Sequence, residues 1–184
     1  MDPTAAVRAA FPSVADIADQ DLRDGVIAAW SAAITENDIE TLEGIPWFPP
    51  VQSRLGLPDE DLVTHVREVV RASMALVDVF VDRQSLDLSR DVVLAAALVH
   101  DVSKLYEFDG HEPTRIEDLL GHPHYGVHVA AEAGLPVEVL HAVAAHSTRT
   151  AVEPATIEAE IVRRADEAAA AAIRAGVVDD LREA

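Results

Sequence analysis

A chain of 184 residues, 49% apolar, has room for one well-cored domain. Its formal charge of −19 and its 4% aromatic content exclude a groove for long nucleic acid, which needs cations and stacking surfaces. The absence of cysteine excludes disulfides, thiolate zinc sites and a cysteine nucleophile.

No basic segment followed by an apolar core opens the sequence, and no run approaches the ~18 apolar residues of a membrane span. A cytoplasmic protein without membrane contact is the expectation. Residues 1–12, with prolines at 3 and 12, read as a loosely held leader. Leu22, Val26, Ile27, Trp30, Ala33 and Ile34 recur at helical spacing and predict a helix over about 20–35. A short helical piece over 38–43 stops at Gly44, and residues 45–50 (Ile-Pro-Trp-Phe-Pro-Pro) form a stiff loop carrying two aromatics.

A longer helix starts between Pro58 and Glu60. It runs through Leu62, Val66, Val69, Val70, Met74, Val77 and Phe80 to about residue 82, with His65 on its inward side. Ser89 caps the next helix, which is apolar nearly all round, hence central, and runs through His100 and Asp101. Thr114 and Glu117 form a capping box for a short helix ending at Gly121. His122 caps the following helix, with Pro123 at its first position, to about Glu132. Gly134 stops it, Pro136 opens a helix through His146, and Pro154 opens the last, to about Gly176. No alternating strand pattern and no internal repeat is found. The expectation is an all-α bundle of about seven helices. In it, residues 1–55 form a helical extension packed on a core of residues 56–176, and 177–184 form an acidic tail.

The stretch from Ala95 to Lys104 ends an apolar run with adjacent His100 and Asp101. Polar groups in such a run are costly unless paired or bound to metal. Lys104 is the only lysine, whereas the other thirteen basic residues are arginine, so a compact point charge is retained at this place. The ordinary alternative is a core helix whose last turn carries polar decoration. The eight histidines are 65, 100, 111, 122, 124, 128, 141 and 146, and Asp166 shares a helix face with Val162, Ala169 and Ile173. Imidazole and carboxylate ligands suit divalent Mn, Fe, Co, Ni or Zn. Helices that each contribute ligands are how a bundle builds a two-metal site.

The ordered set His65, His100-Asp101 and Asp166 resembles the H…HD…D pattern of the HD-domain metal-dependent phosphohydrolase superfamily, an all-α fold. His100-Asp101-Val-Ser-Lys104 is similar to the His-Asp-x-x-Lys segment of its signalling-phosphodiesterase branches. His122-Pro-His-Tyr-Gly126 is similar to their His-Pro-x-x-Gly segment, and His146 falls 24 residues later, where those branches place another metal-binding histidine. The resemblance covers about residues 60–170. It implies one metal on His65, His100, Asp101 and Asp166, and a second on His122 and His146 with Asp101 bridging. Ser103 stands where some branches have glycine, and Ser147 where others have the second histidine of a pair, which leaves the substrate branch open.

The implied activity is hydrolysis of a small phosphate ester, nucleotide or cyclic nucleotide. Asp101 orients the attacking water and Lys104 neutralises charge on a phosphoryl oxygen. His128 and Arg149 are candidate substrate contacts, the first at the pocket mouth and the second on a phosphate. His124 is expected at the surface or supporting a ligand, His141 in a structural role, His111 in a loop, and Arg163–Arg164 on a solvated face. The same resemblance leaves a second reaction class open, a mixed-valence di-iron oxygenase similar to myo-inositol oxygenase and the organophosphonate-cleaving enzymes, acting on a hydroxylated substrate. A non-catalytic module that binds a nucleotide or a partner protein is a third reading. Monomer and homodimer are equally compatible with the sequence.

Overall fold

In the structure, a computed structural model that describes residues 2–57, 60–83 and 86–183, the chain is helical from its start. The Asp2 side chain accepts from the Thr4 amide at 3.0 Å and caps α1 (Pro3–Ala10). Val7 and Phe11, one turn apart, are fully buried, and the Phe11 ring lies 4.7 Å from that of Trp30. The expected loose leader is therefore wrong. Its prolines start a helix and a 3-10 turn (12–16) rather than preventing order.

Asp19 caps α2 (Gln20–Glu36), accepting from the Asp21 and Leu22 amides. From its buried face the Trp30 indole donates to the Leu98 carbonyl at 2.8 Å, tying α2 to the centre of the bundle. The short helix expected over 38–43 is absent. Asp38 sits at φ 51, a left-handed conformation that turns the chain away from α2, and 39–44 remain irregular.

The expected stiff loop instead contains α3 (Pro49–Leu55), because two prolines at its first positions lack only amides that would go unbonded there anyway. Buried Gln52 holds this segment. Its Oε1 accepts from the Phe48 amide at 2.8 Å, and its Nε2 donates to the Glu60 carbonyl at 3.0 Å. The Trp47 amide also donates to the Glu60 carbonyl, and the Leu62 amide to the Ile45 carbonyl.

Helix α4 (Leu62–Phe80) is capped by Asp61, which accepts from the Thr64 amide at 2.9 Å. Of the expected start, Pro58 and Asp59 lie outside the described residues. Ser89 caps α5 (Arg90–Val99) as expected, and every residue from Val93 to Val99 is buried. Helices α2 and α4 pack around it together with α9 and α10, described below.

Helix α5 ends one residue before His100. A buried turn leads into α6 (Lys104–Glu107), then a two-residue antiparallel pair, β1 (Phe108–Asp109) with β2 (Glu112–Pro113), too short for an alternating pattern. Thr114 caps α7 (Arg115–Leu119), but Glu117 does not complete the expected box, because its carboxylate is taken by Arg149. Helix α8 (His122–Glu132) is capped by Gly121 at φ 71, so His122 is its first residue rather than its cap. Helix α9 (Val137–Ala145) ends at His146. Helix α10 (Ile157–Ala175) is opened by the Thr156 hydroxyl, which accepts from the Ala159 amide, and not by Pro154.

The fold is an all-α bundle whose hydrophobic cluster is continuous from Val7 to Ala169. No helix among the described residues is long and apolar enough to cross a membrane. Trp30→Phe should cost about 1–3 kcal/mol, because it leaves the buried Leu98 carbonyl without its donor. A lowered urea midpoint at unchanged slope is the expected reading.

Candidate metal centre

Three helix ends and two helices along their length meet at one place. His65 comes from the first turns of α4, His100 and Asp101 from the turn after α5, His122 from the start of α8, His146 from the end of α9, and Asp166 from within α10. His100 and His146 each follow the last residue of a helix, so carbonyls three residues back are free to accept from them. The Nδ1 of His100 donates to the Ala97 carbonyl at 2.8 Å, and that of His146 to the Val143 carbonyl at 2.7 Å. A carbonyl can only accept, so both rings carry their proton on Nδ1 and present a bare Nε2 lone pair. Those two Nε2 atoms, and Oδ1 of Asp101, are buried without any partner.

Asp101 stands between two sets of imidazoles. Its Oδ2 is 3.5 Å from Nε2 of both His65 and His100. Its Oδ1 is 3.7 Å from Nε2 of His122 and 3.8 Å from Nε2 of His146. Asp166 Oδ1 closes the first set, 3.1 Å from His65 Nε2 and 3.8 Å from His100 Nε2. Donors about 2.0–2.2 Å from one ion stand roughly 3–3.5 Å apart, and the observed spacings are of that size. His65, His100 and Asp166 form one group that can hold a cation, and Asp101, His122 and His146 another. Unpartnered buried nitrogen and oxygen atoms, aimed at two common points, are what a divalent metal site requires.

A family model described as HD domain matches residues 62–171. The chain belongs to this family. A dihydroneopterin 2',3'-cyclic phosphate phosphodiesterase of Methanocaldococcus jannaschii is 31% identical to it over 112 residues, which cover 58% of this chain and 45% of that protein. The matched region thus spans less than half of the relative's length. No solved structure matches the chain significantly.

Around the HD ligand set the charges are arranged by burial. Burial drives His100 down to about 4, overcoming Asp101 and Asp166, and drives His122 well below its usual value with help from Lys104. Burial alone would raise Asp101, but the Lys104 ammonium and then His100, His122 and His65 hold it far below the usual carboxylate range. Asp166 is opposed by burial in the same way and is lowered by its bond to His65, while its side chain stays 18% exposed.

Two residues near the site explain sequence features. The Ser103 hydroxyl donates to the His122 carbonyl at 2.8 Å, so the serine that departs from the HD pattern pins the start of α8. Gly126 faces that turn, and a Cβ there would meet Val143 Cγ1 at 3.0 Å and Ser103 Oγ at 3.4 Å, which is why the His-Pro-x-x-Gly segment needs its glycine.

Glu107 is the residue sequence reasoning missed. It is fully buried, its Oε2 has no hydrogen-bond partner, and it lies 3.7 Å from His122 Nδ1 and 4.0 Å from Lys104 Nζ. Burial pushes its carboxyl up to about 8 against the pull of Lys104. Its place three residues after Lys104, on the same short helix, was the available signal.

The ligands open onto a cavity of about 210 Å³ walled by Trp47, Phe48, Lys104, Arg149 and Arg174. Lys104 Nζ lies 4.4 Å over the Phe48 ring and 3.5 Å from His122 Nδ1. Arg149 reaches the cavity but spends its guanidinium on Glu117, at 2.7 and 3.2 Å. His128 is not brought there. It is exposed, its ring 5.3 Å from that of Tyr125, in a different pocket with Glu36 and Tyr106. His124 is exposed with Nδ1 donating to the Leu120 carbonyl, and His141 accepts from the Ala155 amide in the expected structural role. Arg163 departs from its expected solvated place: it is buried between Glu153 and Glu167, and Arg164 alone is exposed.

Metal-free protein should be acid-labile well above ordinary carboxylate titration. Unfolded histidine binds its proton near 6.5 and folded His100 near 4, so between these the unfolded chain holds more protons and stability falls as pH falls. Asp101, depressed in the folded state, extends the loss below that window. Glu107, raised to about 8, opposes this by gaining stability as pH falls, so the test uses chelator-treated Glu107→Gln protein, whose urea midpoints at about pH 7, 5.5 and 4.5 should decline in order. A flat series would contradict a neutral buried imidazole.

Proposed function

We propose that this HD domain is a metal-dependent phosphohydrolase that acts on a small phosphate ester, nucleotide or cyclic nucleotide through a metal-activated water. The observation that carries this reading is Asp101, whose two oxygens face separate imidazole pairs, His65 with His100 and His122 with His146. That arrangement suits two divalent transition ions sharing one carboxylate, with Asp166 completing the first site. Ions so held supply Lewis acidity toward a phosphoryl oxygen and make water a competent nucleophile near neutral pH.

The protein's own part is positional. His100 and His146 are fixed by their carbonyl bonds, so their lone pairs need no reorientation when a ligand arrives. Asp101, between the two imidazole pairs, would orient the attacking water. Lys104, 6% exposed and held over Phe48, presents its ammonium to the cavity and neutralises charge gathering on the phosphoryl group as the ester P–O bond breaks. A cavity of about 210 Å³ suits a small ester. The relative's cyclic phosphate substrate supports a strained diester as the first compound to try.

Elemental analysis of protein purified without chelator, followed by assay on cyclic phosphates and phosphomonoesters, is the deciding experiment. Two equivalents of Mn, Co, Ni or Zn, with ring opening of a cyclic phosphate to its monoester or phosphate release from a monoester, support the reading. Two irons with oxygen uptake on a hydroxylated substrate, and hydrolysis of neither kind of ester, overturn it in favour of the oxygenase. Asp101→Asn should lower metal content at both sites and reduce the melting temperature. His146→Ala should retain about one equivalent. Lys104→Met should keep its metal and lose about 10²–10³ in kcat.

A further inference from the structure

The wall of the cavity away from the metal ligands is built for charge, not for stacking. Trp47 is buried with its ring 5.1 Å from that of His65. Phe48 is covered by Lys104 at 4.4 Å and by Arg149 at 5.8 Å. Lys104, Arg149 and Arg174 thus share this wall with one carboxylate outside the ligand set, Glu167, which Arg163 and Arg164 hold. The third cation of the wall, Arg174, differs from its neighbours. Arg149 is held by Glu117 and Arg163 by Glu153 and Glu167, whereas Arg174 makes no ion pair or side-chain hydrogen bond among the described residues. Its Nε is buried and unpartnered, an expensive state for a guanidinium that lines a cavity. Other arginines of the chain also lack an ion pair, but among the described residues Arg174 alone has a buried, unpartnered guanidinium nitrogen, and it lines this cavity.

Arg174 lies eight residues beyond Asp166 on α10, about 12 Å along the axis. Ala170 lies between them on the same cavity wall. Helical side chains lean toward the N-terminus, and Arg174 lines the same cavity as Ala170 and the ligand carboxylate Asp166. We infer that Arg174 is a second anion anchor, and that the substrate carries, beyond the phosphoryl group placed at the metal centre, a further carboxylate or phosphate on a short spacer that Arg174 binds through its planar fork. This rests on the phosphohydrolase reading above and narrows its substrate class to compounds with two separated anionic groups.

Isothermal titration of the metal-loaded full chain tests this with butylphosphonate, which has one anionic head, against 4-phosphonobutyrate and 6-phosphonohexanoate, which have two. Metal content is checked after each titration. The better two-headed compound should bind at least tenfold tighter than butylphosphonate. Arg174→Gln should bring the two within threefold by weakening the two-headed compound more than butylphosphonate, and Arg174→Lys should retain part of the preference. Ala170→Glu, which places a carboxylate one turn before Arg174, should abolish the preference by occupying the guanidinium, so the assignment does not depend on Arg174→Gln folding. Equal binding of one- and two-headed compounds, or a preference that survives Arg174→Gln or Ala170→Glu, overturns the second anchor and leaves the phosphohydrolase reading standing. Metal-loaded protein that holds none of the phosphonates overturns the phosphohydrolase reading itself.

Discussion

One carboxylate, Asp101, is buried at 2% exposure among four imidazoles. An ionised group in that position is tolerable only when positive charge surrounds it, and in the protein alone that charge comes mainly from Lys104. The same need for cations organises the surroundings. The α5–α6 turn carries Asp101 and Lys104 together, so the anion and its ammonium arrive on one short piece of chain. The first turn of α4, the ends of α8 and α9 and the interior of α10 supply the remaining donors. Metal bound only by the folded state is folding free energy, so an ion held by this cluster would stabilise the bundle directly.

The six side chains gathered around Asp101 were legible as candidates, His65 and Asp166 as ionisable residues on faces otherwise apolar, and His122 and His146 through the family resemblance. His65 follows Leu62 on the inward side of α4, and Asp166 shares a face with Val162 and Ala169. The elements misread are those where proline or short length hides the pattern. Pro3 and Pro49 read as breakers and are helix starts, and α6, four residues long, has no period to detect. His122 was placed as a cap where Gly121 takes that role by adopting positive φ.

The miss at Glu107 and the misplacement of His128 have a common cause. Which way a side chain points from a short or kinked element depends on tertiary packing, and α6 buries all four of its residues at once. His128, six residues from His122 on α8, is carried far around that helix, toward Tyr125 and Glu36. Arg174 was equally hidden, since an arginine near a helix end is most often solvated and only the absence of its partners marks it out.

Gln52 gives the roof of the cavity a particular mechanical character. One buried amide bonds Phe48 on one side and Glu60 on the other, while the Trp47 and Leu62 amides pair across the same seam. Losing any one of these bonds strands polar atoms in a buried place, so the seam separates as a whole or stays shut. Trp47 and Phe48, which press on His65 and Lys104, are therefore coupled to a cooperative local transition with a single free energy. A substitution far from the metals, at Gln52, would then be felt at the ligands as a change in how often the site is assembled rather than in what it is made of.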